Sequence, residues 1–184
     1  MSTIFYTGCS LDGYIADPHH DLSWLVTRDI DAGGAMGFET FQPRLGAAVM
    51  GASTWQWLLD HGEQAAMGGL ATWVLTHREF QPVEGVSFVA ADTLDDVRSV
   101  HAAASEAAGG KDVWLVGGGE LVARFVEAGL VDELWVQLAP VTLGAGAPLL
   151  PARVELRLEE VVRNGDFVCT RYTVLGPGLA PVGE

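Results

Sequence analysis

Apolar residues fall in short, turn-bounded runs along most of the chain, the pattern of strands buried on both faces. Ile4-Phe5-Tyr6-Thr7-Gly8-Cys9 predicts the first strand. Ala47–Met50, Thr72–Leu75, Val86–Val89, Asp112–Val116 and Leu134–Leu138 predict others. Between these runs the apolar spacing changes to three and four. Ser53 with Gln56 makes a capping-box pattern and opens a helix that includes Trp55 to Leu59. A second helix opens near Thr93, carries Leu94, Val97 and His101 on one face, and ends at Gly109-Gly110. A third, from about Glu120 to Ala128, turns Leu121, Val122, Phe125 and Val126 inward and stops at Gly129. Asp29 to Phe41 is expected to be helical despite Gly33, Gly34 and Gly37, with Pro43 as its stop. The segment after the first strand, carrying Asp12-Gly13 and Asp17-Pro18, reads as a loop.

Beyond Pro140 the pattern changes. Val154, Leu156 and Leu158 alternate with Glu155, Arg157 and Glu159, the period of a half-exposed strand. Asn164-Gly165 is a hairpin turn signal, and Phe167 to Val174 is the returning strand. Helices alternate with strands up to about residue 139, and an antiparallel pair closes the chain. The expectation is an α/β fold with a mostly parallel central sheet and an antiparallel C-terminal hairpin.

At 184 residues, with 49% hydrophobic and 18% charged, the chain suits one globular domain, with a core over about residues 3–175 and a tail at 176–184. No apolar run approaches a membrane span, and no basic stretch precedes the first apolar residues, so a cytoplasmic location is expected. Cys9 and Cys169 have no metal-ligand spacing and read as buried thiols. The net charge of −14, with Lys111 the only lysine, disfavours nucleic acid as a partner. An anionic cofactor remains compatible with it through helix N-termini, backbone N–H groups and one or two arginines.

Three loops carry candidate chemistry. Gly51-Ala52-Ser53-Thr54 and Val116-Gly117-Gly118-Gly119-Glu120 are strand–glycine–helix junctions, where backbone can approach a ligand and free N–H groups point outward. Two such junctions in one sheet could grip the two phosphates of a dinucleotide; alternatively the glycines merely turn the chain. Gly117 and Gly119 fit G-x-G, but Val122 stands where the dinucleotide fingerprint needs a third small residue, and the motif does not follow the first strand. Thr76, His77 and Arg78, at a strand end, suit a terminal phosphate, or equally form a solvated turn with Thr76 and Glu79 as a capping box.

Taken with Ser10-Leu11-Asp12-Gly13-Tyr14-Ile15-Ala16 and Pro140-Val141-Thr142-Leu143-Gly144-Ala145-Gly146-Ala147-Pro148-Leu149, these loops resemble the reductase domain of bacterial riboflavin biosynthesis, which shares the dihydrofolate reductase-like fold. The resemblance runs from Ile4 to about Leu175. It implies a three-layer α/β/α domain and a nicotinamide cofactor, NADPH in preference to NADH. It places Gly51, Ala52, Ser53 and Thr54 beneath the phosphates, and Val116, Gly117, Gly118, Gly119, Glu120 and Leu121 around the pyrophosphate. Thr76, His77 and Arg78 fall at the adenosine end, and Gly8, Ile15 and Ala16 along the nicotinamide. The loop from Ser10 to Trp24 covers the site. Ala52 stands where dihydrofolate reductases usually carry a basic residue, which leaves Arg78 to select the 2′-phosphate. The zinc deaminase pattern that precedes the reductase in longer relatives is absent from the sequence.

The implied reaction is hydride transfer to a C=O or C=N carbon of a small, heterocyclic substrate, pterin- or pyrimidine-like. Asp12, Asp29 and Glu39 are the candidate proton donors, Asp12 doubling as a turn residue before Gly13. A non-catalytic dinucleotide-binding protein of the same fold is the alternative, and an α/β interaction module that binds no cofactor is a third reading. The exposed strand around Val154 to Val162 is expected to pair across a two-fold axis as a homodimer.

Overall fold

The structure, a computed structural model, describes residues 1–177. Eight strands form the main sheet, in the order β5-β4-β3-β6-β1-β7-β10-β9. They are β1 (Thr3–Ser10), β3 (Leu45–Gly51), β4 (Ala71–Leu75), β5 (Val86–Val89), β6 (Asp112–Gly117), β7 (Glu133–Ala139), β9 (Val154–Asn164) and β10 (Phe167–Pro177). From β5 to β7 every pairing is parallel, and β10 is antiparallel to both β7 and β9. Two short strands, β2 (Tyr14–Ala16) and β8 (Ala147–Pro148), pair separately. The expected C-terminal hairpin is present, and Gly176 and Pro177, expected in the tail, extend β10; the rest of that tail, 178–184, lies outside the described residues.

The strands are buried on both faces because helices cover both. Alternation along β1 sends Phe5 to one side and Ile4 and Tyr6 to the other. Against the first side pack α4 (Leu94–Ala107), through Val97, Val100 and Ala104, and α5 (Gly119–Glu127), through Leu121, Val122, Phe125 and Val126. Fully burying each such α5 side chain stabilises the fold by roughly 1.5–3 kcal/mol before chain entropy is counted. Against the other side pack α3 (Ala52–His61), through Trp55 and Leu58, and α2 (Phe38–Phe41), through Phe41. The fold is therefore the expected three-layer α/β/α arrangement.

Three local expectations are corrected. The stretch Asp29–Phe41 is helical only over Phe38–Phe41, followed by a 3-10 turn at Gln42–Arg44. The groups a longer helix would pair internally are taken by side chains of the sheet instead. Buried Asn164 accepts from Asp31 N–H (2.9 Å) and donates to the carbonyls of Asp31 (2.8 Å) and Ala35 (3.1 Å). The Met36 carbonyl accepts from the Tyr6 hydroxyl (3.1 Å) and the Gln137 amide (2.9 Å). Met36 sits at φ 57°, outside any right-handed helix. Secondly, Ser53 and Gln56 form no capping box: Gly51 is the N-cap of α3 without a side-chain bond, and Gln56 donates to Asp60 (2.8 Å). The box is made instead by Thr93 and Asp96 at the start of α4. Thirdly, Asn164 is not a turn centre. It pairs with Phe167 across the hairpin, leaving Gly165 (φ 56°) and Asp166 as the loop.

The helical layer does not reach the far edge of the sheet. Leu158 and Val161 on β9 are each 54% exposed, and Leu156 and Val168 are exposed beside them.

Candidate functional site

All strands from β5 to β7 run the same way, so β1, β3, β4 and β6 end on one edge of the sheet. At that edge β3 and β6 are neighbours, with Met50 in register with Gly117. The helices that follow them leave toward opposite faces, α3 to one and α5 to the other. Such a parting opens a crevice beyond the carboxyl ends of the strands, where α/β sheets bind ligands. Here the crevice is a cavity of about 530 Å³.

Its floor comes from both junctions: Gly51, Ala52, Ser53 and Thr54 from one, and Val116, Gly117, Gly118, Gly119, Glu120 and Leu121 from the other. Both helix starts are capped by glycine backbone with no side-chain bond, so N–H groups of their first turns are left for a ligand. The glycines make a cradle. A Cβ on Gly51 would meet nothing nearer than the Gly117 carbonyl oxygen at 3.9 Å. At Gly119 a Cβ would run into the carbonyl oxygens of Pro148 and Leu149, the latter at 2.6 Å, so only glycine lets α5 begin against that wall.

The far wall is the β2–β8 pair, contributing Ile15, Ala16, Ala147 and Pro148. Asp12 ties this flap together. Its carboxylate accepts from the Ser10 hydroxyl (2.6 Å) and from the N–H groups of Leu143 (3.0 Å) and Gly144 (2.7 Å). The Ser10 hydroxyl, helped by those backbone groups, holds the Asp12 carboxyl below the usual aspartate range. A carboxylate so engaged is a fastener and a poor proton donor.

Gly8 lines the cavity with Thr7, and Leu25 lies across it: a Cβ on Gly8 would stand 2.5 Å from Leu25 Cδ1. Leu25 belongs to the short helix α1 (Ser23–Val26), as does Trp24, which does not line the cavity and whose indole N–H donates to the Asp21 carbonyl (3.1 Å). His20 enters from the same loop at φ 61°, with Asp17 Oδ1 accepting from the N–H groups of His19 (2.7 Å) and Asp21 (2.8 Å) on either side. Trp57 of α3 closes that end.

The structure therefore brings Gly8, Ile15, Ala16 and both glycine junctions into one cavity. Thr76, His77 and Arg78 do not line it. They form a hydrogen-bonded turn, with the Thr76 hydroxyl accepting from Arg78 N–H (2.8 Å) and His77 paired to Asp92 (2.7 Å). Asp29 lies at the β9–β10 hairpin, its N–H donating to the Asp166 carboxylate (3.2 Å) and its carbonyl accepting from Asp166 N–H (2.9 Å), and Glu39 stands on α2 near Gly33. Neither lines the cavity. Arg124, passed over in the sequence, does. Its spacing from Glu120, four residues earlier and on the flank of the apolar face of α5, is the signal that could have found it. Both cysteines are buried, and burial pushes the Cys9 thiol up to about 11, so neither is a nucleophile. Among the described residues, no group of acidic, histidine and cysteine side chains could hold a metal, and no helix is long and apolar enough to cross a membrane.

Comparison with known proteins agrees with this architecture. The uncharacterised protein YwjB of Bacillus subtilis (strain 168) is 26% identical over 174 residues, covering 92% of this chain and 96% of its own. A protein of Shewanella sp. PV-4 whose name places it in riboflavin biosynthesis superposes with a TM-score of 0.76 at 25% identity, over 95% of this chain and 99% of its own. The diaminohydroxyphosphoribosylaminopyrimidine deaminase/5-amino-6-(5-phosphoribosylamino)uracil reductase of Thermotoga maritima superposes with a TM-score of 0.62 at 15% identity, which speaks to fold alone. That match covers 94% of this chain but 56% of the longer protein, so this chain corresponds to one part of it. The family model for the RibD C-terminal domain matches residues 60–170, and the chain belongs to that family.

Proposed function

We propose that this chain is an NADPH-dependent reductase that passes a hydride to a C=O or C=N carbon of a small pterin- or pyrimidine-like heterocycle. The observation that carries the reading is the convergence of two glycine-bounded helix starts on one cavity that also holds Gly8, Ile15 and Ala16. The cavity fits a dinucleotide: each helix start offers backbone N–H donors to a phosphate, and the glycines let it come close. NADPH, when bound, supplies the hydride at its nicotinamide C4.

The chain's own residues do the rest. The first turns of α3 and α5 hold the phosphates, and the β2–β8 flap shields the reacting atoms from water. Asp12 keeps the flap in place. Asp29 and Glu39, expected as proton donors, stand off the cavity, so the proton is assigned to His20 or to water that it orders. Membership in the RibD C-terminal domain family supports the reductase reading.

The first test is titration of the purified protein with NADPH and NADH, followed by tryptophan fluorescence and energy transfer to the nicotinamide. Saturable binding that favours NADPH supports the proposal, and binding of neither nucleotide overturns it. NADPH oxidation assayed with 5-amino-6-(5-phosphoribosylamino)uracil as the acceptor then separates a reductase from a protein that only binds the dinucleotide. The same proposal includes a cytoplasmic homodimer, supported by the uncovered apolar strip of Leu156, Leu158, Val161 and Val168. A monomer by light scattering removes that part.

A further inference from the structure

We infer that Trp57 is the platform on which the ring of the hydride acceptor stacks, and that this ring is flat and uncharged; the inference rests on the reductase reading above and deepens it. The cavity has two sides. Leu75 and Leu121 belong to the layer built on Phe5, whereas Leu25 and Trp57 belong to the layer built on Tyr6 and Trp55. Ile15 stands with the α5 side, 3.8 Å from the place a Cβ would take on Gly118. A nicotinamide lying along Gly8, Ile15 and Ala16 therefore turns its free face toward Leu25 and Trp57.

Trp57 is held for such a role. It lies in the second turn of α3 and is half-buried. His61, one turn further on, stacks against its indole with ring centres 4.2 Å apart and planes 18° from parallel. The His61 Nδ1–H donates to the Trp57 carbonyl (2.8 Å), which fixes the imidazole there. One face of the indole is thus covered, and the cavity receives the rest. The indole N–H groups of Trp24, Trp114 and Trp135 all donate within the protein. Among the described residues that of Trp57 has no acceptor, and it is not buried away from a ligand. An aromatic face beside an unspent N–H suits a flat ring with a carbonyl oxygen or ring nitrogen at its edge.

The lining around Trp57 is neutral. Leu22 and Leu25 stand beside it, and His20 is the one ionisable side chain on that side. The loop that carries them is set against this end of α3, because Asp21 is near enough to His61 for their charges to interact. The lining's arginine and its glutamate, Arg124 and Glu120, both belong to α5. A charged ring would lose water here without gaining a counterion, and a neutral heterocycle would not. An open-chain carbonyl compound would leave the indole face uncovered.

The test titrates the NADP⁺-saturated protein with pterin, a flat, neutral and fluorescent ring, in the wild type, Trp57→Leu and Trp57→Phe. Pterin should bind the wild type saturably, weaken at least about tenfold in Trp57→Leu, and stay within about threefold in Trp57→Phe. NADPH affinity should change by less than about twofold in both variants, which also shows that they fold. Wild-type pterin affinity in Trp57→Leu overturns the inference. Equal weakening of pterin and NADPH assigns Trp57 to the nicotinamide and overturns it too. A wild type that binds NADPH but takes no pterin overturns the inference and leaves the functional reading standing; one that binds neither nucleotide fails both. Fluorine NMR of the wild type labelled with 5-fluorotryptophan needs the variants only for assignment. The Trp57 resonance should move when pterin joins the NADP⁺ complex, and a stationary resonance overturns the inference.

Discussion

Two alanine substitutions at the cavity floor should have opposite effects on folding and binding. At Gly119 an added methyl meets the carbonyl oxygens of Pro148 and Leu149, and backbone cannot swing aside as a side-chain tip can. Either α5 or the β8 wall must shift. Overpacking of this kind costs about 1–3 kcal/mol, and about 2 kcal/mol lowers the melting temperature of a chain this size by roughly 4–8 °C. At Gly51 the same methyl finds 3.9 Å of clearance at φ −87°, so the fold should not suffer. That methyl points into the space assigned to a phosphate and should weaken NADPH at least about tenfold. Both changes gain the same ~0.4–1 kcal/mol from restricting the unfolded chain, so the difference between their melting temperatures isolates the contact. Thermal unfolding followed by circular dichroism, and fluorescence titration with NADPH, read the two effects separately. A Gly119→Ala protein that melts with Gly51→Ala refutes the argument from backbone contact. Wild-type NADPH affinity in Gly51→Ala refutes the phosphate cradle.

Asn164→Ala strips three hydrogen bonds from the segment 31–35 and strands buried backbone groups, so urea denaturation should show a loss of about 2–4 kcal/mol. Asp12→Ala releases the N–H groups of Leu143 and Gly144; hydrogen exchange in residues 141–147 should rise while the melting temperature changes by only a few degrees. Burial lowers the proton affinity of His101, which faces Thr3, Asp132 and Phe125, so the unfolded chain takes up that proton first. The corresponding stability is complete above the ordinary histidine value near 6.5 and is lost as pH falls below it. Urea midpoints between pH 8 and 5 should therefore drop on the acid side, and the drop should shrink in His101→Gln.

The central parallel strands were legible because each is a short apolar run, closed by glycine after β3 and β6 and by proline after β7, and burial on both faces demands such runs; β2, in a segment that read as a loop, was not legible. The glycine junctions were legible for the same reason, since a strand that ends in glycine and passes directly into a helix is visible without any tertiary knowledge. The segment from Asp29 to Phe41 was not. Its course is decided by Asn164, Gln137 and Tyr6, whose distance along the chain hides the competition they offer to local helix formation. Thr76, His77 and Arg78 read equally as a phosphate site and as a solvated turn; they form a hydrogen-bonded turn beside the cavity lining, and composition alone does not choose between the two. Arg124 shows the converse. Locally only its four-residue spacing from Glu120 marks it, and its place at the cavity depends on the packing of α5, from which its guanidinium reaches the carbonyls of Ala91 and Thr93.

The strand order also bears on how the polypeptide matures during synthesis. β1 lies in the middle of the sheet, yet its partners come much later: Thr3 sits in register with Val113, and Ile4 with Glu133. At a translation rate of about 5–20 residues per second, the wait for these partners is roughly 5–25 s after β1 leaves the ribosome. Throughout that interval Ile4, Phe5 and Tyr6 are without their eventual neighbours, a span in which holdase chaperones can engage them. Closing so distant a pairing places the domain among the slower-folding topologies. Synonymous codons that slow translation before residue 133 lengthen that exposure, and the yield of native protein should track translation speed there more than in the segment after it.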